Sequence, residues 1–341
     1  MVDITIASLI YRSKKYADAI YSSVLEFTPK VRRGEAEFFF MANDPTPELM
    51  QHLKGSGYPH FVNYNPHRSE DELYSMGYGE PEYIHRVYRG WNECIRCARG
   101  DIVVLVNSDN ILSPDWLENL LKYLSPRTIV CSKLVERRHP THGIFPSAYH
   151  REFGSHPDNF NREAFLRFCE RVRMTGLEEG GAYMPCAFYK TGATKVGLYP
   201  EGNIAGSSFH NVVDFGDRVF FKKLSRIGVK HVTALDSIAY HFKEGESDET
   251  QLPSTIGPAG SHKRDEESGH EGEAEITTNV VATMQDQIQY LTMRTLDLAL
   301  TMTLRRLLKR GRHLIFCVRS LMSRVVAAFA MSSDVYANQS K

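Results

Sequence analysis

Residues 4–10 (ITIASLI) are a short apolar run rich in β-branched side chains, the pattern of a strand buried on both faces. Residues 16–26 follow as a helix, and residues 37–42 (EFFFMA) as a second buried strand ending at Asn43-Asp44-Pro45. A second helix is predicted over 46–54, with Thr46 as N-cap and Pro47 at its first position. Residues 61–64 are a short third strand, and the polar, Gly-rich stretch 65–83 is a loop. A helix over 84–98 stops at Arg99-Gly100, and a fourth strand covers 102–106. That strand breaks at Asn107-Ser108-Asp109-Asn110, before a helix over 114–124 capped by Ser113. Further on, strands are expected at 130–135, 182–189, 230–234 and 237–240, and a helix at 217–227.

Strands alternating with helices imply a mostly parallel sheet with helices on both faces. Ligands of such sheets lie at the carboxyl ends of the strands. The polar residues gather there: Ser8, Tyr11 and Arg12 after the first strand, Asn43 and Asp44 after the second, Asn107 to Asn110 after the fourth.

Composition changes this picture little until the C-terminal part. Hydrophobic residues make up 42% of 341 and the formal net charge is zero, so overall charge argues against a nucleic-acid partner. The six cysteines are too sparse for a disulfide scaffold and fit a reducing cytoplasmic compartment. Cys94 and Cys97 form a CxxC, but at helical spacing and without a second pair they are expected to pack rather than bind zinc. The N-terminus enters a strand directly, with no secretory pattern, and no run reaches the ~18 to 20 apolar residues of a membrane-spanning helix.

Residues 248–278 are polar and Gly-rich, a linker or loop. A helical tail over 279–333 is expected next, with Val280, Met284, Ile288, Leu291, Leu298 and Met302 at helical spacing. Between Asp297 and Asp334 lie seven Arg or Lys and no acid. That composition suits a helix in an anionic membrane interface. Packing on the catalytic domain or on a second copy, giving a homo-oligomer, is the alternative.

Three constellations could carry chemistry. Asp109 at a strand end beside amide carbonyls is a hard-oxygen setting for Mg²⁺ or Mn²⁺, or a plain turn. Asp217 follows Phe215-Gly216 at a helix start, where an acid also complements the helix dipole. His241, after a short strand, is a metal ligand or a structural histidine.

Order and spacing sharpen these signals. Gly100-Asp101, Asn107-Ser108-Asp109-Asn110 and Pro114-Asp115-Trp116-Leu117 resemble the "Gly-Asp … Leu-Asp-x-Asp-Asp … Pro-x-x-Leu" segment of family 2 glycosyltransferases. Asn92, Ile95, Ala98 and Gly100 keep the spacing of the family's preceding motif, and Asn43-Asp44 resembles its Asp-Asp after the second strand. Phe215-Gly216-Asp217 before Gly228, and Tyr240-His241 with Gly245 and Ser247, are similar to its late motifs.

The resemblance implies a GT-A fold over residues 1–247, with a nucleotide-sugar half at 1–125 and an acceptor half at 126–247. It implies an inverting transferase of the hexosyl type that uses Mn²⁺ or Mg²⁺ and a UDP- or GDP-sugar. Asp109 and His241 would hold the metal against the donor diphosphate. Ser8, Arg12, Asn43, Asp44, Arg89, Asn92, Asn107 and Ser108 would bind the donor, and Asp217 would be the general base. Gly180-Gly181-Ala182 would lie near the acceptor. With the basic tail, the resemblance implies a lipid-linked or surface-polysaccharide acceptor and an enzyme peripheral at the inner face of the membrane.

Three departures stand out: Asn107 replaces the motif's first Asp, Gly216 replaces a Glu, and Trp91 replaces an Arg. Arg86, Arg89 and Lys14 are candidates for the missing positive charge. Two other classes therefore stay in view. One is a non-catalytic nucleotide-sugar-binding or assembly protein. The other is a nucleotidyltransferase, which would normally carry a Gly-rich loop where this chain has SLIYRSKK.

Overall fold

The computed structural model describes residues 3–138 and 144–243. In chain order it carries β1 (Ile4–Ile10), α1 (Lys14–Phe27), α2 (Pro29–Arg32), β2 (Ala36–Asn43), α3 (Pro47–Gly55), β3 (His60–Asn63), α4 (Glu70–Ser75), β4 (Tyr78–Gly79), α5 (Tyr83–Cys97) and β5 (Ile102–Asn107). After the polar break come β6 (Asn110–Leu112), α6 (Trp116–Tyr123), β7 (Thr128–Glu136), β8 (Tyr149–His150), a 3-10 turn at Pro157–Asn159, α7 (Arg162–Val172), β9 (Leu177–Glu179) and β10 (Cys186–Tyr189). The described part closes with α8 (Lys190–Lys195), β11 (Asn203–Ala205), β12 (Val212–Asp214), α9 (Gly216–Ser225) and β13 (Lys230–His241). The linker and basic tail expected after residue 247 lie outside the described residues.

The main sheet runs β3-β2-β1-β5-β10-β7-β13-β6, with β8 beside β7 and β9 beside β13. Pairs within β3-β2-β1-β5 are parallel, as is β7 with β13, whereas β10 runs antiparallel to both β5 and β7. This is the α/β arrangement expected from the sequence: a largely parallel central sheet flanked by helices. A small sheet, β12-β11-β4, stands beside it.

Side chains alternate across β5, which explains its unbroken apolar run. Val104 and Val106 join Ile6, Ile20, Phe40 and Trp116 in one core, on the side of α1 and α6. Val103 and Leu105 join Phe39, Trp91, Ile95 and Phe220 in the other, on the side of α5 and α9. With both faces covered, the strand meets water only at its end, and there the polar residues begin. Leu9 lies beside Asn107 in register, so the chain leaves β1 and β5 at adjacent points on the carboxyl edge.

Four expectations change. Residues 65–83 contain α4, opened by a reciprocal capping box between Ser69 and Glu72, and the short strand β4. The helix expected from 114 begins at Trp116, and its N-cap is Asp115 in the left-handed region (φ 59°). Ser113 lies two residues ahead of that cap, and its N–H donates to Ile238 O at 3.1 Å as the chain leaves β6. The strands expected at 230–234 and 237–240 are one strand, β13, with a register shift between Ala234 and Ile238. The strand expected from 182 starts at Cys186. Cys94 is buried and Cys97 half-buried, and both are free thiols. Among the described residues, no helix is long and apolar enough to cross a membrane.

Candidate active site

The carboxyl ends of β2 and β3 meet in an amide and carboxylate cluster. Asp44 takes a left-handed backbone (φ 49°), which Asp tolerates better than most residues. Its Oδ1 accepts the Asn65 N–H at 2.7 Å and its Oδ2 the Asn65 side-chain amide at 2.8 Å. Asn43 Oδ1 accepts from Asn63 and Asn65, each at 2.8 Å, while Asn43 Nδ2 donates to Arg86 O at 3.1 Å. Arg89 donates to Asn65 Oδ1 at 3.3 Å and pairs with Glu201 at 2.9 Å. Asn65 therefore ties Asn43, Asp44 and Arg89 together. Asn43 has both ends of its amide engaged, which leaves the Asp44 carboxylate as the member with acceptor capacity to spare.

After β1, the Arg12 guanidinium lies over the Tyr11 ring at 4.3 Å and that of Arg86 at 5.9 Å. Ser8 is buried within β1, and its hydroxyl has no hydrogen-bond partner among the described residues. Asn92 has a different place. It is buried in α5, its Nδ2 donates to Tyr199 O at 3.1 Å, and its Oδ1 accepts the Tyr199 N–H at 2.9 Å. Both ends of this amide hold the backbone ahead of β11. Asn107 and Ser108 are half-buried at the exit of β5.

Beyond β5, three strands converge on one histidine. In register, His241 at the end of β13 lies beside Asn110 of β6 and Glu136 of β7. The Phe242 N–H donates to Asp109 O at 3.0 Å, which draws Asp109 to the same point. His241 Nε2 stands 3.1 Å from Asp109 Oδ2, and Nδ1 stands 2.8 Å from Glu136 Oε1. Lys243 Nζ reaches Glu136 Oε2 at 2.9 Å, and the Phe145 N–H donates to that oxygen at 2.7 Å.

Burial alone would lower the pKa of His241. The Asp109 charge and the hydrogen bonds to Asp109 and Glu136 outweigh it and raise the imidazole to about 10. Burial would raise Glu136, but the contacts to His241, Phe145 and Lys243 hold it below the usual carboxylate value.

Asp109 and His241 form an ion pair here, and they would hold a divalent cation only once the Nε2 proton has left, since a ligating imidazole is neutral. The Asp109 oxygen and the His241 nitrogen are 3.1 Å apart, which places one carboxylate oxygen and one ring nitrogen side by side on the carboxyl edge of the sheet. Glu136 on the far ring nitrogen is the usual outer partner of a ligating imidazole. Among the described residues, no three His, Cys, Asp or Glu side chains converge on one point suited to a metal. The remaining ligands would come from phosphate oxygens and water, as is usual for such ions.

Asp217 opens α9, apart from this group. Its N–H donates to the Tyr88 hydroxyl at 3.2 Å. That hydroxyl donates to Asn203 Oδ1 at 3.3 Å, which also accepts the Gly216 N–H at 3.0 Å. Burial raises the Asp217 carboxyl to about 6, against a smaller opposing hydrogen bond to Tyr88. A carboxylate so placed is ionised near neutrality yet more basic than an exposed one.

Sequence reasoning missed Asn63, Asn65, Glu136, Glu201 and Tyr88. Asn63 and Asn65 carried a usable signal, as amides following a strand directly on the carboxyl edge. The other three carried none.

Residues 78–196 match the model of Glycosyl transferase family 2, a stretch that includes Arg89, Asn107 to Asp109 and Glu136. No curated protein matches the chain. Among solved structures, one of GalNAc-T7 with UDP, GalNAc and Mn²⁺ is 15% identical with a TM-score of 0.44, over 70% of this chain and 44% of that one. The mannosyltransferase PcManGT from Pyrobaculum calidifontis, in complex with GDP-Man and Mn²⁺, is also 15% identical, with a TM-score of 0.43 over 70% and 56%. TarS residues 1–349 from S. aureus are 12% identical, with a TM-score of 0.43 over 70% and 60%. The chain thus spans about half the length of the solved structures it matches.

Proposed function

We propose that this chain, whose residues 78–196 match the model of Glycosyl transferase family 2, transfers a sugar from a nucleotide-diphosphate donor to an acceptor hydroxyl with a divalent cation and with inversion at the anomeric carbon. The observation that carries this reading is the Asp109–His241 pair on the carboxyl edge of a mostly parallel sheet, with ligand atoms 3.1 Å apart. Asp109 and His241 would hold the cation, His241 through Nε2 after that nitrogen loses its proton. When bound, Mn²⁺ or Mg²⁺ neutralises the charge that builds up on the departing nucleoside diphosphate.

The Asp44 carboxylate, fixed by Asn65, accepts hydrogen bonds from the nucleoside. Arg12 and Arg86, gathered around Tyr11, supply positive charge near the exit of β1. Asn107 and Ser108 offer neutral polar groups beside Asp109. Asp217 takes the proton of the acceptor hydroxyl as that oxygen attacks the anomeric carbon. A single displacement with a single base inverts the centre. A lipid-linked or surface-polysaccharide acceptor, met at a membrane surface, is supported by the basic and apolar composition of residues 304–331.

The second reading is a nucleotide-sugar-binding protein without turnover. It is favoured by Asn107, which leaves Asp109 as the single carboxylate of the 107–110 segment. The experiment is a thermal-shift series with UDP, GDP, dTDP and CMP, each with Mn²⁺ or with EDTA. One nucleotide should raise the melting temperature by several degrees in a Mn²⁺-dependent way, as expected for ligand at about 100 times its Kd. That shift should vanish in Asp109→Ala. No Mn²⁺-dependent shift with any nucleotide overturns the metal site. Binding without turnover of UDP- or GDP-sugars across acceptors favours the second reading, and a retained anomer in the product overturns inversion.

A further inference from the structure

We propose that Glu136 is a positioning residue that fixes the ring of His241 so that Nε2, and not Nδ1, faces Asp109. This inference rests on the reading of Asp109 and His241 as the metal pair. Three features of the structure carry it.

First, the contact is set by the sheet. Glu136 and His241 are register partners on adjacent parallel strands, so their backbones are locked side by side before the side chains meet. Secondly, Glu136 is itself held on several sides. One oxygen receives His241 Nδ1 at 2.8 Å, and the other receives Lys243 Nζ at 2.9 Å and the Phe145 N–H at 2.7 Å. The residue is 1% exposed, so water does not compete for these bonds. Thirdly, the two contacts of the imidazole divide its nitrogens without ambiguity, since Glu136 has Nδ1 and Asp109 has Nε2. Turning the ring over would place a carbon against the buried carboxylate and leave that oxygen without its donor.

Lys243 follows from the same geometry. A buried carboxylate beside a cation-binding pair would compete as a ligand if it were free to swing. The Lys243 ammonium and the Phe145 N–H tether the oxygen that His241 does not use. Glu136 therefore orients a ligand without being one.

The test separates reach from charge. Glu136→Gln keeps an acceptor at the same distance and loses the charge. Glu136→Asp keeps the charge and falls short by one methylene. Glu136→Ala removes both. Each full-length variant is titrated with Mn²⁺ in the presence of saturating nucleoside diphosphate, with binding followed by water-proton relaxation. Nucleotide affinity in EDTA is measured alongside.

Positioning predicts Mn²⁺ affinity within about threefold of wild type for Glu136→Gln and a loss of about 10- to 100-fold for Glu136→Asp. Nucleotide affinity in EDTA should not change in either. Glu136→Ala should match Glu136→Asp, and the Gln and Asp pair decides the matter if the Ala variant does not fold. The reverse order, with Asp tolerated and Gln not, overturns positioning in favour of a charge effect. Equal affinity in all variants, while Asp109→Ala loses Mn²⁺, overturns the role of Glu136 and leaves the metal pair standing. Absence of Mn²⁺ binding by the wild-type protein overturns the metal pair itself and the proposal with it.

Discussion

Tyr88 lies over Gly216 so closely that a Cβ on residue 216 would stand 2.4 Å from its ring. The same tyrosine accepts the Asp217 N–H through its hydroxyl and stacks on Tyr199 at 5.8 Å and 11°. A glycine before the proposed base is therefore what this packing requires, and it need not mark a lost activity. Gly216→Glu is expected to destabilise the protein by about 1–3 kcal/mol through overpacking. Urea unfolding measures it, and the cost should shrink in a Tyr88→Ala background, where the obstruction is gone.

Asp217 sets the pH behaviour of the proposed reaction. With its carboxyl at about 6 in the folded protein, activity should rise as pH increases through about 6 and level off above it. Asp217→Asn should be inactive throughout. Stability carries the opposite sign. The folded state holds this proton more tightly than the unfolded chain, so ionising Asp217 costs stability as pH rises from about 4 to about 6. Asp217→Asn should thus be more stable than wild type at pH 8, by about 3 kcal/mol or less, and the gain should fade near pH 4. Melting curves at the two pH values decide it.

Asn65 joins four residues by its side chain alone, Asn43, Asp44, Asn63 and Arg89. Asn65→Ala removes donors to Asn43 and Asp44 and an acceptor for Arg89, which keeps Glu201. The expected result is a loss of about 1–2 kcal/mol in stability and about tenfold in nucleotide affinity. Calorimetric titration with the nucleotide that responds in the thermal-shift series checks the second figure.

Asn92 should behave differently. Asn92→Ala strands the buried backbone N–H and C=O of Tyr199 and should cost about 1–3 kcal/mol. Nucleotide affinity of the protein that remains folded should stay within a few-fold of wild type. A large loss of affinity at unchanged stability would return Asn92 to the donor site.

Much of the sheet was legible because strands buried on both faces have no polar interruption until they end. β1 and β5 could be located from residues 4–10 and 102–106 for that reason. The small elements were harder. α4 carried its own signature, Ser69 three residues before Glu72, inside a stretch whose polarity suggested a loop. α7 buries Phe165, Phe168 and Cys169 on one face, but its many charged residues masked that stripe. The site was legible where a polar residue ended an apolar run, as at Asp44 and Asp109. Glu136 was not, because nothing local distinguishes a strand-end glutamate that faces solvent from one that faces a histidine 105 positions later.

The antiparallel strand β10 sets the order in which the molecule can be assembled. Residues 186–189 fill the gap between β5 and β7, so a chain emerging from the ribosome cannot join its two half-sheets until those residues have appeared. β6 must wait longer still, for its partner residues 239–241. Asp109 is thus synthesised well over a hundred residues before the histidine it meets. Such non-local closure is slow compared with helix formation, and until it occurs the strands at both borders of the gap have open hydrogen-bonding edges. Newly made or truncated chains that end before residue 241 should carry the early strands and helices without the Asp109–His241 pair, and those open edges make them natural clients for chaperones.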